Sequence, residues 1–428
     1  MWEFALCSGL TLNMAKTVLI PLWEGDPELF RSRLMAKAPG WGAAPLRHSA
    51  KYLGFILGPA SGKDSYKEPL AKYRARLEAW RNTEGGTFMS IMAYRTYILT
   101  VLTFVVQLAN APGDEGEREQ QAISRLIPGP YKWLHKDLAR DLKSVGLPAD
   151  FPSLERMTPA IRLRVFRTLR ARGMDWQAAH RRLATARRNT RFLDRETRWG
   201  DWLDDAPVNL IMKAVEDLKT RGVTTNTVET KIREHSQATG RALANILNNG
   251  FQMTAIDMST PTAMQKELSA EWIIDRTIRK WNMVMLPGHR ARKAMQVSKA
   301  LRGKIPPRCH FAVLRTWLDG WVTGTRFGDR SKNCVAGCDA ADSIAHYAGC
   351  PRIRDAAWTG LGLRSRPTPQ EQLEDFMLLG PVRNDDELRQ KALWTGTVYK
   401  WHAWCTHDGL NKAYDLKAKA INHFLKEL

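Results

Sequence analysis

The chain has 428 residues, 44% of them hydrophobic, with 65 Lys and Arg against 44 Asp and Glu and a formal net charge of +21. The hydrophobic share excludes a disordered chain. Six cysteines over this length exclude a disulfide scaffold and fit a reducing compartment, nuclear or cytoplasmic. So large an excess of cations calls for a polyanionic partner, and nucleic acid meets that need more often than an acidic membrane does.

Residues 1–60 read as a short mixed piece. Two apolar runs, Thr17–Trp23 and Tyr52–Leu57, are bounded by Gly and Pro and are expected to be buried strands. From Glu68 the pattern turns helical: Leu70, Tyr73, Leu77 and Trp80 recur at three- and four-residue steps, with Lys and Arg between them. A second helix is expected from about Met89 to Leu108. The uncharged stretch 96–113 is interrupted by Thr100, Thr103, Gln107 and Asn110, so it reads as a buried core helix and not a membrane span. The start of the chain lacks the basic region and cleavage site of a secretory signal. Gly113–Glu119 reads as an acidic linker, and Pro148, Pro152 and Pro159 punctuate the next stretch of chain.

Residues 156–198 are the densest basic block, with Leu163, Phe166 and Leu169 on one helix face and Arg162, Arg164, Arg167 and Arg170 on the others. Trp202-Leu-Asp-Asp205 reads as a helix start, where Asp caps well. Further helices are expected over 207–300, and Pro306-Pro307 marks a boundary. The compact segment 308–352 comes next, and a helical tail runs from about residue 386.

Four residues in the C-terminal part carry the clearest chemistry. Cys334, Cys338, His346 and Cys350 have the spacing C-x3-C-x7-H-x3-C. Zinc binds three thiolates and one imidazole in a tetrahedron, and a set closed by four protein ligands makes a structural metal, not a catalytic one. Gly337 relieves the tight turn between the first two cysteines. Asp342 is placed to accept a hydrogen bond from the second nitrogen of His346. His402, Cys405 and His407 are expected on a tail helix with polar neighbours.

Several segments together resemble one family. Ser8-Gly-Leu-Thr-Leu-Asn-Met-Ala-Lys16 with Thr17-Val-Leu-Ile20 is similar to the "SGLxxNxxKT" stretch of reverse transcriptases from non-LTR (LINE-type) retrotransposons, and Lys51–Pro59 to the "YLG" motif after it. The helix of Lys72, Arg76 and Trp80 and that starting at Tyr97 resemble the thumb. Trp321–Arg326, Asp342–His346 and Cys350-Pro351 resemble the C-terminal zinc-binding region. The pieces come in the family's order and cover about residues 5–110 and 310–355.

The resemblance implies a thumb and linker that hold template RNA and target DNA. It makes Lys72, Arg74 and Arg76, together with Arg162, Arg164, Arg167, Arg170, Arg181, Arg182, Arg187, Arg188 and Arg191 of the basic block, candidate contacts for RNA and DNA phosphates. Trp176, Phe192, Trp199 and Trp202 are core residues first and base-stacking candidates second. The polymerase aspartates, which the family places ahead of the equivalent of Ser8, do not occur here. The chain is therefore expected to be a nucleic-acid-holding part that does not polymerise alone and pairs with the half carrying those aspartates. Two rivals are part of an active RNA-directed DNA polymerase from a split reading frame, and a domesticated zinc-dependent interaction module.

The expected architecture is mainly α, with a small N-terminal strand element and a small Cys3His zinc-knuckle module. Its segments are a palm-end remnant (1–60), thumb-like helices (61–112), a basic helical linker (113–300), the zinc module (301–360) and a helical tail (361–428). Zinc is the expected cofactor, RNA and DNA the expected partners, and no membrane is involved.

Overall fold

A computed structural model describes residues 13, 16–21, 26–42, 44–59, 61–81, 83, 85–190, 202–220, 268–329, 331–364, 366–409 and 411–426. It is mostly helical with one small sheet, as the sequence pattern requires. Of the residues and segments singled out in the sequence, 8–12, 14–15, 22–23, Arg191, Phe192, Trp199 and the helices expected over 221–267 lie outside the described residues.

The chain forms two compact units that interleave in sequence. One takes 1–76, 96–115 and 154–260, the other 77–95, 116–153 and 261–428. The expected thumb segment 61–112 thus contributes to both.

The first unit holds α1 (Pro27–Lys37), the hairpin β1 (Ala50–Tyr52) and β2 (Phe55–Leu57), and most of α2 (Lys67–Arg81). Tyr52–Leu57 is therefore not one strand. Leu53 and Gly54 sit at positive φ, +48° and +89°, which is the geometry of a two-residue hairpin turn. The register pairs Ala50 with Leu57, Lys51 with Ile56 and Tyr52 with Phe55. The hairpin is half-exposed, and Phe55 packs on Phe104 at 4.7 Å between centroids. Within 17–21 the expected strand is reduced to one bridge, Leu19 to Leu46. Pro21 has no N–H to continue a ladder.

The apolar helix forms as expected but is not uniform. The α-helical turns of α3 (Gly86–Ala93) pass through a π-helical turn at Tyr94–Ile98 into α4 (Thr100–Val105). Gly86–Val105 is long and apolar enough to cross a membrane by length and composition only, and half of its apolar window is buried, as in a core helix. Ile98, Leu99, Leu102, Val105 and Val106 are core residues.

The basic block forms two long helices, α7 (Leu154–Ala171) and α8 (Trp176–Thr190), after α5 (Glu115–Leu126) and α6 (Lys136–Ala139). Helix α9 (Pro207–Thr220) packs on both α7 and α8. Pro159 does not break α7. It lies in the second turn, where it forfeits a single backbone bond to Glu155. The acidic linker is shorter than expected because α5 begins at Glu115. Acidic residues favour a helix N-terminus, and Glu119 is buried in an ion pair with Arg140.

The second unit holds α10 (Ala270–Ile278), α11 (Pro287–Leu301), α12 (Pro307–Trp317), α13 (Ile344–Gly349), α14 (Arg354–Leu361), α15 (Pro369–Phe376), α16 (Asp385–Thr406) and α17 (Tyr414–Lys426). Its centre is α12, which is buried on every side and packs along α16. Pro306 and Pro307 start this helix, where a missing N–H costs nothing, so they do not separate the metal segment from the rest of the unit. The tail helix α16 begins at Asp385, within a residue of expectation, with Asn384 accepting from Glu387 N–H as its N-cap. Trp317, Trp321 and Trp401 are among the largest fully buried side chains.

Candidate metal centre and basic surface

The four spaced residues converge. One ligand atom from each of Cys334, Cys338, His346 and Cys350 lies within 4.8 Å of all the others. Local structure brings each pair into place. Cys334 opens a tight turn in which Gly337 N–H donates to Cys334 O at 2.9 Å and Ala336 N–H reaches Cys334 Sγ at 3.4 Å. Gly337 adopts φ +85°, and a Cβ there would also sit 2.7 Å from the Tyr414 ring, so the turn requires glycine. Ser343 caps α13 by accepting from His346 N–H at 3.1 Å. Four-residue spacing along α13 then sets His346 and Cys350 on one face.

The distances fit a metal. Cys350 Sγ lies 3.8 Å from Cys334 Sγ and 3.6 Å from Cys338 Sγ. A tetrahedron with metal–sulfur bonds of about 2.3 Å has an edge of about 3.8 Å. His346 Nε2 is buried and has no hydrogen-bond partner among the described residues. A buried ring nitrogen left unpaired costs free energy unless a ligand takes it. In the metal-free cluster, hydrogen bonding with Cys350 pulls the Cys334 thiol far down. The same bond pushes Cys350 up, and burial pushes Cys338 up. A bound metal would displace the protons of the thiols.

Asp342 does not bond to His346. Its Oδ1 accepts from Tyr347 Oη at 2.7 Å and lies 3.1 Å from His402 Nε2, while Oδ2 accepts from Gly324 N–H at 2.7 Å. Burial alone would raise the Asp342 carboxyl, but the bonds from His402, Tyr347 and Gly324 outweigh it and hold it below the ordinary range. An ionised carboxylate only accepts, so His402 donates through Nε2. Tyr347 in turn accepts from Val335 N–H at 3.1 Å, one residue past Cys334. Burial, then the Asp342 charge, raises its phenol well above the usual range and keeps it protonated.

His402 sits on α16 and is buried, as is Trp321, whose ring centroid lies 5.4 Å from it. The Asp342–Tyr347–His402 group thus ties both halves of the cluster to the tail helix. Sequence reasoning missed His402 because its partner is sixty positions away and no local spacing announces it. Cys405 is buried on the same helix, where burial pushes its thiol up to about 12.

The twelve candidate phosphate contacts separate into kinds. Lys72, Arg74, Arg170, Arg181, Arg182 and Arg188 are exposed. Arg76 donates to Tyr97 O and stacks 4.2 Å over its ring. Arg187 makes a two-pronged pair with Asp204 at 2.8 and 2.7 Å. Arg164 and Arg167 are half-buried. Arg162 is a correction: it is buried, with its guanidinium donating to Val106 O and Ala109 O at 3.3 and 3.1 Å. It satisfies carbonyls at the end of α4 that have no helical partner, so it is a core residue and not a phosphate contact. Trp176 is likewise core, stacked on Phe166 at 5.2 Å.

Fold and cluster together define a mainly helical protein with a Cys3His group able to hold a metal ion. Comparison with known protein families, with curated proteins and with solved structures finds no match to this chain.

Proposed function

We propose that this protein binds RNA and DNA through the exposed cations of α2, α7 and α8, and that a structural zinc ion folds the metal segment of its second unit. The observation that carries the zinc reading is the closed set of three sulfurs and one orphaned imidazole nitrogen. Three thiolates and one imidazole suit zinc, and with no position open for substrate the ion's work is structural. The nucleic-acid reading is supported by the net charge of +21 and by exposed arginines on two helices of one unit. Arg forks match pairs of phosphate oxygens.

This combination, with the family-ordered segments between Ser8 and Pro351, supports assignment to the nucleic-acid-holding part of a non-LTR-type reverse transcriptase. Protein expressed with zinc supplied is expected to contain about one zinc per chain by elemental analysis. Cys338→Ser is expected to lose most of it and to expose residues 334–350 to protease. Binding to an RNA hairpin and to duplex DNA should weaken steeply as salt rises, because phosphate contacts release counterions. Full-length protein that contains no zinc, or whose binding ignores salt, refutes the corresponding half of the proposal.

A further inference from the structure

Beside the metal segment, the second unit encloses a cleft of about 770 Å³ between α13, α14, α15 and α16. Its size lies within the range of small-molecule and cofactor sites. Two indoles line it. Trp394 is buried, whereas Trp358 is 57% exposed, so its indole is open to a flat ligand. Charge around the cleft is uneven: Arg354, Arg364, Arg366, Arg383 and Lys391 face Asp375 and Glu387.

Both carboxylates are already engaged. Lys391 Nζ is buried and lies 3.1 Å from Asp375 and 3.2 Å from Glu387, with Pro381 O accepting at 2.9 Å. The lysine ammonium occupies the place between the two acids that a catalytic cation would need, so this group is structural and closes one side of the cleft. Arg366 is held near Glu371 and Asp375 at 3.8 and 3.7 Å. Arg354 lies 3.7 Å from Asp355, so the surplus positive charge belongs to Arg364 and Arg383, both exposed. Among the described residues Arg383 gives only its Nε and backbone N–H, both to Glu387, so its terminal nitrogens can take an oxyanion. Arg364 makes no ion pair among the described residues.

An indole face beside guanidinium forks suits a ligand that is flat and aromatic at one end and anionic at the other. A nucleobase with its phosphate has that form. An acidic peptide would use the arginines and leave Trp358 without a partner. We infer that this cleft receives one unstacked nucleotide of a single strand, with its base on Trp358 and its phosphate toward Arg364 and Arg383. This rests on the proposed nucleic-acid function and names a second, base-dependent site for it, distinct from the duplex-holding arginines.

The test uses the full zinc-loaded chain and three labelled probes: a thymidine dodecamer, an abasic strand of the same length and a blunt duplex. Fluorescence anisotropy gives each affinity at about 0.1 M salt. Trp358→Ala is expected to weaken thymidine-strand binding about tenfold, the scale of one lost base–aromatic stack. It should leave the abasic strand and the duplex unchanged. Arg364→Gln should weaken both single strands and spare the duplex. Both side chains are exposed, and zinc content and circular dichroism confirm that each variant is folded.

Unchanged thymidine-strand affinity in Trp358→Ala overturns the cleft while leaving the nucleic-acid reading intact. So does an oligoglutamate peptide that competes as well as the thymidine strand. Wild-type protein that binds none of the three probes overturns both readings.

Discussion

Tyr347→Phe removes one oxygen atom from the support of the metal cluster and leaves the ring in place. Tyr347 is 1% exposed, and its ring packs on Trp321, His402 and Trp401, so the substitution opens no cavity larger than a hydroxyl. Two interactions are lost. The donor to Asp342, at 2.7 Å to an ionised acceptor, contributes about 1.5–3 kcal/mol. The acceptor for Val335 N–H is lost as well, but that group is only partly buried and regains some water, so about 1 kcal/mol is the ceiling there. The sum is about 2–4 kcal/mol, drawn from the segment that positions Cys334 and His346. With two compact units, global unfolding is not expected to be two-state, so the readout must be local. Zinc transfer to a chromophoric chelator should report at least about tenfold weaker metal affinity, which is about 1.4 kcal/mol of that loss reaching the site. Hydrogen exchange over residues 334–350 should accelerate while α7 and α8 remain unchanged. Wild-type affinity and exchange in the variant would refute the coupling of the Asp342 group to the metal site.

The arginines should divide on two axes. Replacing Arg181 and Arg182 together by Gln should lower the slope of log affinity against log salt by about 1–2 while stability stays unchanged. Arg162→Leu should do the reverse: it strands Val106 O and Ala109 O and should cost about 2 kcal/mol of local stability, read as faster hydrogen exchange in α4 and α7, with the salt slope preserved. His310 sets a pH dependence. Burial pushes its imidazole down from 6.5 to about 4, with Nε2 2.7 Å from Ser298 Oγ. The folded protein therefore resists protonating it while the unfolded chain does not. Its contribution is complete above about pH 6.5 and is lost as pH falls toward 4. At about 1.36 kcal/mol per unit the loss is about 3 kcal/mol. His310→Gln should flatten the stability–pH curve in that window, and an unchanged curve would contradict the assignment. Gly337→Ala should weaken zinc retention, since the left-handed turn costs a non-glycine residue about 1–2 kcal/mol and the added methyl meets the Tyr414 ring.

What could be read from the sequence divides by the range of the interaction. Helix periodicity is local, so α2, the α3–α4 run and the start of α16 fall within a few residues of expectation. The Cys3His set is also local: all its ligands lie within seventeen residues, and Gly337 and Ser343 set its turns from adjacent positions. The Tyr52–Leu57 run misled because an apolar hexapeptide does not reveal whether its middle pair will turn; here Leu53 accepts a positive φ beside Gly54. The support of the cluster could not be read at all. Asp342 was visible as a second partner, but two candidate imidazoles, His346 and His402, compete for it. Only the tertiary structure, which sets His402 Nε2 3.1 Å from Asp342, decides in favour of the distant one.

The same limit governs the basic residues, and it decides how the charge should be interpreted. Periodicity placed Arg162, Arg164, Arg167 and Arg170 on the faces of α7 away from Leu163, Phe166 and Leu169. That assignment treats a helix as having one neighbour. α7 has at least two, since both α4 and α9 pack against it, so one of its nominally polar faces is also interior. Arg162 survives there because its donors can satisfy two carbonyls at the end of α4, which a leucine could not do. An arginine count in such a block therefore overstates the phosphate-binding surface, and the overstatement grows with the number of helices packed on it. The useful quantity is the set of guanidinium groups with neither a carbonyl nor a carboxylate to serve. Among the described residues Arg181 and Arg182 on the exposed face of α8 belong to that set, and Arg162 and Arg187 do not.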